Sequence, residues 1–323
     1  MRAGRTIAIL MVAGVLGGVS GSAAARTSPV ASRSGCPLTG RSAPSGTNVA
    51  RPAVAVKIDN APGANAPALQ KADVVFESLV EGGITRFTAV FHCKDAGVVG
   101  SVRSARADDP GFVRPVTNAL VYSGANAVVT DELDRRQMIS VTEAGDPDVF
   151  TRSESALLVD TARARTAARA AGAGRPSSLR FGGDYGRTRA RAVTLDFGGT
   201  DVEYRWKNSA WARTQNGAPF MLADGSQAAA KNVLVWEVDI DLSRDVFDSA
   251  GAASPELALQ GSGRAFLFRD GHVVKGTWTN VGDDTLPVFK NKRGDRFELA
   301  RGVTWIELVP SADGEVTGSI SFR

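Results

Sequence analysis

Asp59, Asn60, Glu81, Thr85, Arg86, Arg103, Ser104, Arg106 and Asp108 bring carboxylate, amide, hydroxyl and guanidinium groups into one short stretch of the chain. Each falls at the end of a strand-like run or in the turn that follows it, where the loops of a mixed sheet converge on ligands. Three guanidiniums in one place suit a phosphate or pyrophosphate, because each offers a planar fork of donors. Gly82-Gly83 and Gly100 let the backbone come close to such a ligand. Asp59 or Asp108 then has the chemistry to hold a divalent cation such as Mg²⁺ or to orient an arginine, although no cofactor is required. Two other readings use the same residues. Arg86 and Arg103 pair with Glu81 and Asp59 as a structural ion network, with the glycines serving only the turn. Alternatively, Asp59 and Glu81 act as the acid and base of a glycoside cleavage.

The remaining chemistry is sparse. His92 and His272 are the two histidines, and no His/Cys spacing matches a zinc site. One reads as the end of a strand and the other as a hairpin turn, so a structural role outweighs a triad role for both. Trp206, Trp211, Trp236, Trp278 and Trp305 all lie in the C-terminal half. They form either a sugar-stacking surface or, as is commoner in β domains, part of the core.

The elements that must position these residues follow from hydrophobic pattern. Ala53–Ile58 (AVAVKI) reads as a buried strand, Asp73–Leu79 as a second and Arg86–His92 as a third. Cys93–Gly97 reads as a hairpin turn from which Val98–Val102 returns, and Asn118–Tyr122 as another strand. Ala68–Ala72 fits one helical turn. Thr161–Ala171 is helical and stops at Gly172. Gly172–Gly186 is the linker-like segment. Beyond it come alternating runs, with an Asp270-Gly271 hairpin and turns at Asn208–Ala210, Asn291–Gly294 and Ala312–Gly314, but no long helix. The expected fold class is therefore α+β: an α/β-like N-terminal domain with a mixed sheet, then a mostly β C-terminal domain. The expected boundaries are 1–25 for a signal peptide, 26–50 for an extended arm, 51–171 for the first domain, 172–190 for the linker and 191–323 for the second domain.

The start of the chain reads as an export signal. Arg2 and Arg5 precede an apolar run from Thr6 to Val19, and a small-residue stretch ends in Ala23-Ala24-Ala25. The run is shorter than the roughly 20 residues a membrane span needs, so no span is expected after cleavage. Lipid attachment needs a cysteine just after the run, whereas the first cysteine, Cys36, follows a polar segment. The expectation is an exported protein, extracellular or envelope-associated, without a lipobox cysteine. In that setting the two cysteines, Cys36 and Cys93, read as one disulfide rather than two buried thiols. The 38 Lys and Arg stand against 34 Asp and Glu. Arg2 and Arg5 account for half of that excess, so the charge balance argues against a nucleic-acid partner.

Several segments resemble a known family. Ile58-Asp59-Asn60, Val80–Phe87 (VEGGITRF) and Val99–Arg106 (VGSVRSAR) are similar to motifs of the YerB-like lipoprotein family of bacteria, catalogued as a domain of unknown function. Cys36–Gly40 (CPLTG), Gly271–Trp278 (GHVVKGTW) and Gly302–Ile306 (GVTWI) resemble its lead-in and C-terminal signatures. The resemblance implies two domains and an envelope location but supplies no reaction. The chain departs from the family pattern twice: Thr151–Leu158 stands where relatives carry a His-bearing segment, and the lipobox cysteine is missing. The strand, hairpin, strand and Arg-bearing loop are also loosely similar to the LytR–CpsA–Psr transferases, which bind polyprenyl pyrophosphate through arginines. The ligand expected from these readings is a phosphorylated or anionic cell-wall or polyprenyl component. The alternative is a non-enzymatic adaptor or a carbohydrate- or protein-binding module of the envelope, with an envelope protein as partner.

Overall fold

The computed structural model describes residues 35–61, 66–153, 156–183, 188–248, 250–282 and 285–323. The expected signal peptide and its cleavage site lie outside the described residues. Among the described residues no helix is long and apolar enough to cross a membrane.

Strand-rich sequence produces a mostly β molecule built on one large mixed sheet. Its strand order is Val288–Asn291, His272–Asn280, Gly261–Arg269, Asn232–Val238, Thr304–Pro310, Val74–Leu79, Thr85–Phe91, Val54–Ile58, Ala119–Tyr122 and Ile139–Thr142. The centre is Thr304–Pro310, which runs parallel to Asn232–Val238 on one side and to Val74–Leu79 on the other. All three are buried along their whole length, which explains their near-continuous apolar composition: parallel strands are covered on both faces. Residues from the N-terminal and C-terminal halves thus share backbone hydrogen bonds, with Phe76 opposite Ile306 and Glu77 opposite Glu307.

A second sheet covers this centre. It is formed by Ala218–Pro219, Ala210–Gln215, Asp201–Lys207, Ala192–Asp196 and Ser319–Phe322, with Ala229–Ala230 attached. Trp211 packs on Phe268, and Phe322 on Phe266 and Phe268, with ring centroids 5.5–5.9 Å apart. Each such aromatic pair contributes about 0.5–1.5 kcal/mol beyond the area it buries. Trp211, Trp236, Trp278 and Trp305 are all buried. These four tryptophans build the core and are not available to stack on a sugar, while Trp206 is half-buried and packs on Trp211.

Among the described residues the α-helices are few and short: Asp109–Val113, Ala127–Arg135 and Thr161–Ala170. The last begins where the Asp160 carboxylate accepts from the amides of Ala162 and Arg163 at 2.9 and 3.0 Å, an ordinary N-cap. The expected α/β-like character of the N-terminal half is thus reduced, among the described residues, to three small helices around a mixed sheet.

The expected return strand after Cys93 does not form a hairpin. Both edges of Thr85–Phe91 are already taken, by Val54–Ile58 and by Val74–Leu79. The amides of His92 and Cys93 donate to the Asp73 carboxylate. The chain must therefore leave the sheet, and Val98–Gly100 pairs instead with Leu157–Asp160 in a separate three-stranded sheet. Gly100 sits where a Cβ would lie 2.7 Å from the Leu158 side chain. Its glycine serves that packing and not a ligand.

Cys36 and Cys93 form the expected disulfide, with Cα atoms 5.9 Å apart. Residues 36–40 are held more firmly than an extended arm. Leu38 is fully buried, Thr39 accepts from the Gly302 amide and Pro37 from the Leu179 amide.

Candidate functional site

The strand Val54–Ile58 ends at Asp59-Asn60. Its antiparallel neighbour begins at Thr85-Arg86, with Ile58 opposite Phe87. The loop that carries Arg103 to Arg106 is fastened to the same end. The Arg103 amide donates to the Lys57 carbonyl, the Asp59 amide to Ser101 and the Ala105 amide to Gly124. Sheet geometry therefore brings Asp59, Glu81, Arg86, Arg103, Ser104 and Arg106 together, as their position at strand ends implies.

Their pairing is specific. Arg103 donates from Nε and Nη2 to Oδ2 of Asp59, at 2.8 and 2.5 Å. Arg106 donates from Nε to Oε2 of Glu81 at 2.9 Å, and Nη2 contacts the same oxygen. The other Glu81 oxygen accepts from Ser254 Oγ at 2.5 Å. Burial pushes the Glu81 carboxyl up, but the Arg106 and Ser254 hydrogen bonds outweigh it and hold the pKa below the usual carboxylate range. Arg106 also donates to Ser104 Oγ at 3.0 Å. With these partners neither Asp59 nor Glu81 offers a free acid and base for glycoside cleavage.

Arg86 is different. Its Nη1 donates to the Ser104 carbonyl at 3.3 Å, and its buried Nε has no hydrogen-bond partner among the described residues. Burial, and then the positive charge of Arg106, lower its pKa to about 10. Beneath it lies Lys57, fully buried, with Nζ 2.6 Å from Asp109 Oδ1. Burial lowers the Lys57 pKa, and Asp109 opposes the shift. The cations are Lys57, Arg86, Arg103 and Arg106; the carboxylates facing them are Asp59, Glu81 and Asp109. One positive charge is left over, and Arg86 carries it.

Asn60 and Thr85 belong to a different network. Asn60 Nδ2 donates to Thr85 Oγ1 at 2.7 Å and to Glu77 Oε1 at 3.2 Å, and Thr85 donates to the same oxygen at 2.5 Å. Glu77 is fully buried against Arg213, which donates to both its oxygens at 2.6 and 2.9 Å. Arg213 also donates to Tyr204 Oη at 3.1 Å, and Tyr204 donates to Glu307 at 2.6 Å. The guanidinium lies 5.1–5.7 Å from the rings of Phe87, Tyr204, Phe220 and Trp305, close enough for cation–π attraction. Burial would lower the Arg213 pKa, but Glu77, Tyr204 and Glu307 raise it. Burial and the neighbouring Glu77 charge push the Glu307 carboxyl well up. Residues of both halves close this network in the core.

Asp108 turns away from the arginines. Its Oδ2 accepts from the Leu257 amide at 3.1 Å. The histidines are structural: His92 is buried with Nε2 3.0 Å from the Arg51 carbonyl, and His272 Nδ1 lies 2.8 Å from the Asp270 carbonyl in a hairpin turn. Gly82 and Gly83 adopt φ of 74° and 73°, a conformation that glycine takes without strain.

Two models of one family match the chain: "Protein of unknown function (DUF3048) N-terminal domain" over residues 38–172 and its C-terminal domain over residues 193–306. The chain belongs to the DUF3048 family. "Putative lipoprotein YerB" of Bacillus subtilis (strain 168) is 26% identical over 296 residues, covering 86% of each chain. The crystal structure of YerB protein from Bacillus subtilis superposes with a TM-score of 0.72 at 25% identity, covering 89% of this chain and 99% of that one. Against the two DUF3048 models, Glu77 lies in the N-terminal match and Arg213 and Tyr204 in the C-terminal one, with Glu307 just beyond it. The buried network therefore ties together the two parts of the DUF3048 fold.

Sequence reasoning passed over Lys57, Glu77, Asp109, Tyr204, Arg213, Ser254 and Glu307. For three of them the signal was present: Lys57, Glu77 and Glu307 are each the one charge inside a mostly apolar, buried strand, VAVKI, VVFESL and TWIELVP, whereas Arg213 sits in the more polar AWARTQ. A charge in such a run must be paired in the core.

Proposed function

We propose that this DUF3048 protein is an exported bacterial cell-envelope protein that holds an anionic group, such as the phosphate of a cell-wall or polyprenyl intermediate, at Arg86, Arg103 and Arg106. The observation that carries the reading is the uncompensated Arg86, whose buried Nε lacks a partner beside two further guanidiniums. A buried donor left unpaired costs about 1–3 kcal/mol, and an anion would recover it. Arg103 is 47% exposed, so its pairing with Asp59 is open to exchange with a stronger acceptor. The envelope location rests on the likeness to the Bacillus lipoprotein YerB and on the export signal read from the sequence. The reading is one of binding, and no turnover is assigned.

The test is calorimetric titration with inorganic pyrophosphate and with a soluble polyprenyl pyrophosphate analogue, each with and without Mg²⁺. Saturable binding that Arg103→Ala and Arg86→Gln each weaken at least tenfold supports the reading. No binding, or binding that both variants leave unchanged, overturns it. A second reading, an adaptor for an envelope protein, is favoured by one feature: Leu242 and Phe247 stand 38% and 49% exposed on the hairpin Ile240–Leu257. Crosslinking in intact cells separates the two, since an adaptor loses its partner when both residues become serine and an anion site does not change.

A further inference from the structure

Outside the arginine cluster, the C-terminal half meets the small helices of the N-terminal half along a seam that contains a cavity of about 350 Å³. The helices Asp109–Val113 and Ala127–Arg135 supply one wall, through Gly111, Glu132 and the flanking Asp108 and Arg136. The stretch Leu257–Gln260 supplies the other. The walls are fitted to each other: a Cβ on Gly111 would lie 2.4 Å from Leu259 Cδ1, and the Leu257 amide is tied to Asp108. A second groove, of about 240 Å³, adjoins it and shares Ala258 and Gln260.

The chemistry of the lining is one-sided. Asp108 and Glu132 face the first cavity, and Glu237, Asp239 and Asp313 the second, against Arg136 and Arg264. Both cations are already engaged, Arg136 with Glu132 at 3.0 Å and Arg264 with Glu237 at 2.5 Å. Asp108 receives a backbone amide but no cation hydrogen bond among the described residues. The first cavity, at about 350 Å³, falls in the range of small-molecule sites, which favour the borders between domains. We propose that this seam groove is a binding site for an organic cation, a primary ammonium on a hydroxyl- or amide-bearing frame, with Asp108 as its principal anionic contact.

The electrostatics of Asp108 agree. Burial, and then the like charges of Asp109, Glu256 next to Leu257 and Glu132 on the second helix, raise its pKa to about 7 against the lowering effect of the Leu257 amide, with Arg136 the cation lining the same cavity. A bound ammonium would relieve that repulsion and favour the carboxylate. Affinity should therefore weaken as the pH is lowered from about 8 to about 6, where Asp108 takes up its proton.

The ammonium has two sources, an amino sugar or the side-chain amine of a peptide. Titration of the full chain with glucosamine tetramer, with its N-acetylated counterpart and with a lysine-containing tripeptide separates them. Binding of the free-amine tetramer but not the acetylated one supports the site and assigns a saccharide. Binding of the tripeptide alone supports it and assigns a peptide. Binding of neither amine overturns the proposal. Asp108→Asn keeps the acceptor for the Leu257 amide and removes the charge, and should weaken binding at least tenfold. Ala258→Arg, at an exposed position that both grooves share, places a cation in the path and should abolish it. Undiminished binding by both variants overturns the proposal. Pyrophosphate titration of Ala258→Arg keeps this outcome distinct from that of the arginine site, which Ala258 does not touch.

Discussion

Arg213 is the cation on which the two halves of the core depend, and its removal gives the sharpest test of the packing. Arg213→Met keeps much of the volume among Phe87, Phe220 and Trp305 but leaves Glu77 and Glu307 facing each other across adjacent parallel strands without a positive charge. Removing one partner of a buried pair costs about 3–5 kcal/mol, because the other charge is left uncompensated. At roughly 2.1 cal/mol/K per residue, a body of about 290 residues loses about 1.6 °C of Tm per kcal/mol. The expected drop is then about 5–8 °C at pH 7, read by differential scanning calorimetry.

The pH dependence makes the reasoning refutable. In the intact protein the folded Glu307 pKa is already raised, by burial first and then by Glu77. An acid whose folded pKa is raised adds stability at low pH and loses it as pH rises through its unfolded value toward the folded one. Arg213 opposes that rise, so without it Glu307 should hold its proton more firmly and the penalty at about pH 5 should be smaller than at about pH 7. Glu77→Gln in the Arg213→Met background removes the carboxylate that Arg213 had paired and should recover part of the loss. A variant that melts within about 1 °C of the parent, or whose penalty is the same at both pH values, would refute the account of Arg213 as the charge that holds Glu77 and Glu307 together.

Two further outcomes are expected. Cys36→Ser with Cys93→Ser opens a loop whose ends are 57 residues apart; the chain-entropy model assigns such a loop about 4 kcal/mol, which thermal melts of the variant against the oxidised parent should register as roughly 7 °C. Burial first, and then the charges of Arg51 and Arg165, lower the His92 pKa from 6.5 to about 4, partly offset by its hydrogen bond to Arg51. Its neutral form is the one that fits, so the stability it contributes is complete above pH 6.5 and lost as pH falls toward 4. Stability curves of the parent and of His92→Gln should converge across that window, and parallel curves would show that His92 does not titrate there.

How much of this was legible in the sequence depends on whether a signal was local. The strands Val54–Ile58, Val74–Leu79 and Thr85–Phe91 announce themselves by apolar runs, and the Asp270-Gly271 hairpin by its turn residues, with φ of 49° and 73°. The gathering of Asp59, Glu81 and Arg86 was also legible, because they sit at the ends of adjacent strands, whereas Arg103 and Arg106 reach them on a loop fastened to Lys57 and Gly124 and not on the return strand that local pattern suggested. Who pairs with whom was not. Ser254 reaches Glu81 across a sequence separation of 173, and Glu77 meets Arg213 across 136. No window of sequence contains both partners.

The same limit explains the centre of the fold. Thr304–Pro310 reads as a strand from its composition, yet its insertion between Asn232–Val238 and Val74–Leu79 is a long-range parallel pairing that local pattern does not encode. That pairing has a consequence for how the two family regions work. A strand from one region lies hydrogen-bonded beside a strand from the other, and Arg213 locks the same junction from the covering sheet. Relative rotation of the two regions would have to break the ladder between Val74–Glu77 and Thr304–Glu307. Ligand-driven change is therefore to be sought where the contact between the halves is thin: at the hairpin Ile240–Leu257, which leans on the arginine cluster through the Ser254 hydroxyl and on the seam cavity through the Leu257 amide. An anion that drew Arg106 away from Glu81 would free the Oε2 oxygen and leave the Ser254 hydroxyl as the donor on that carboxylate, so the surroundings of the first contact would change and those of the second would not.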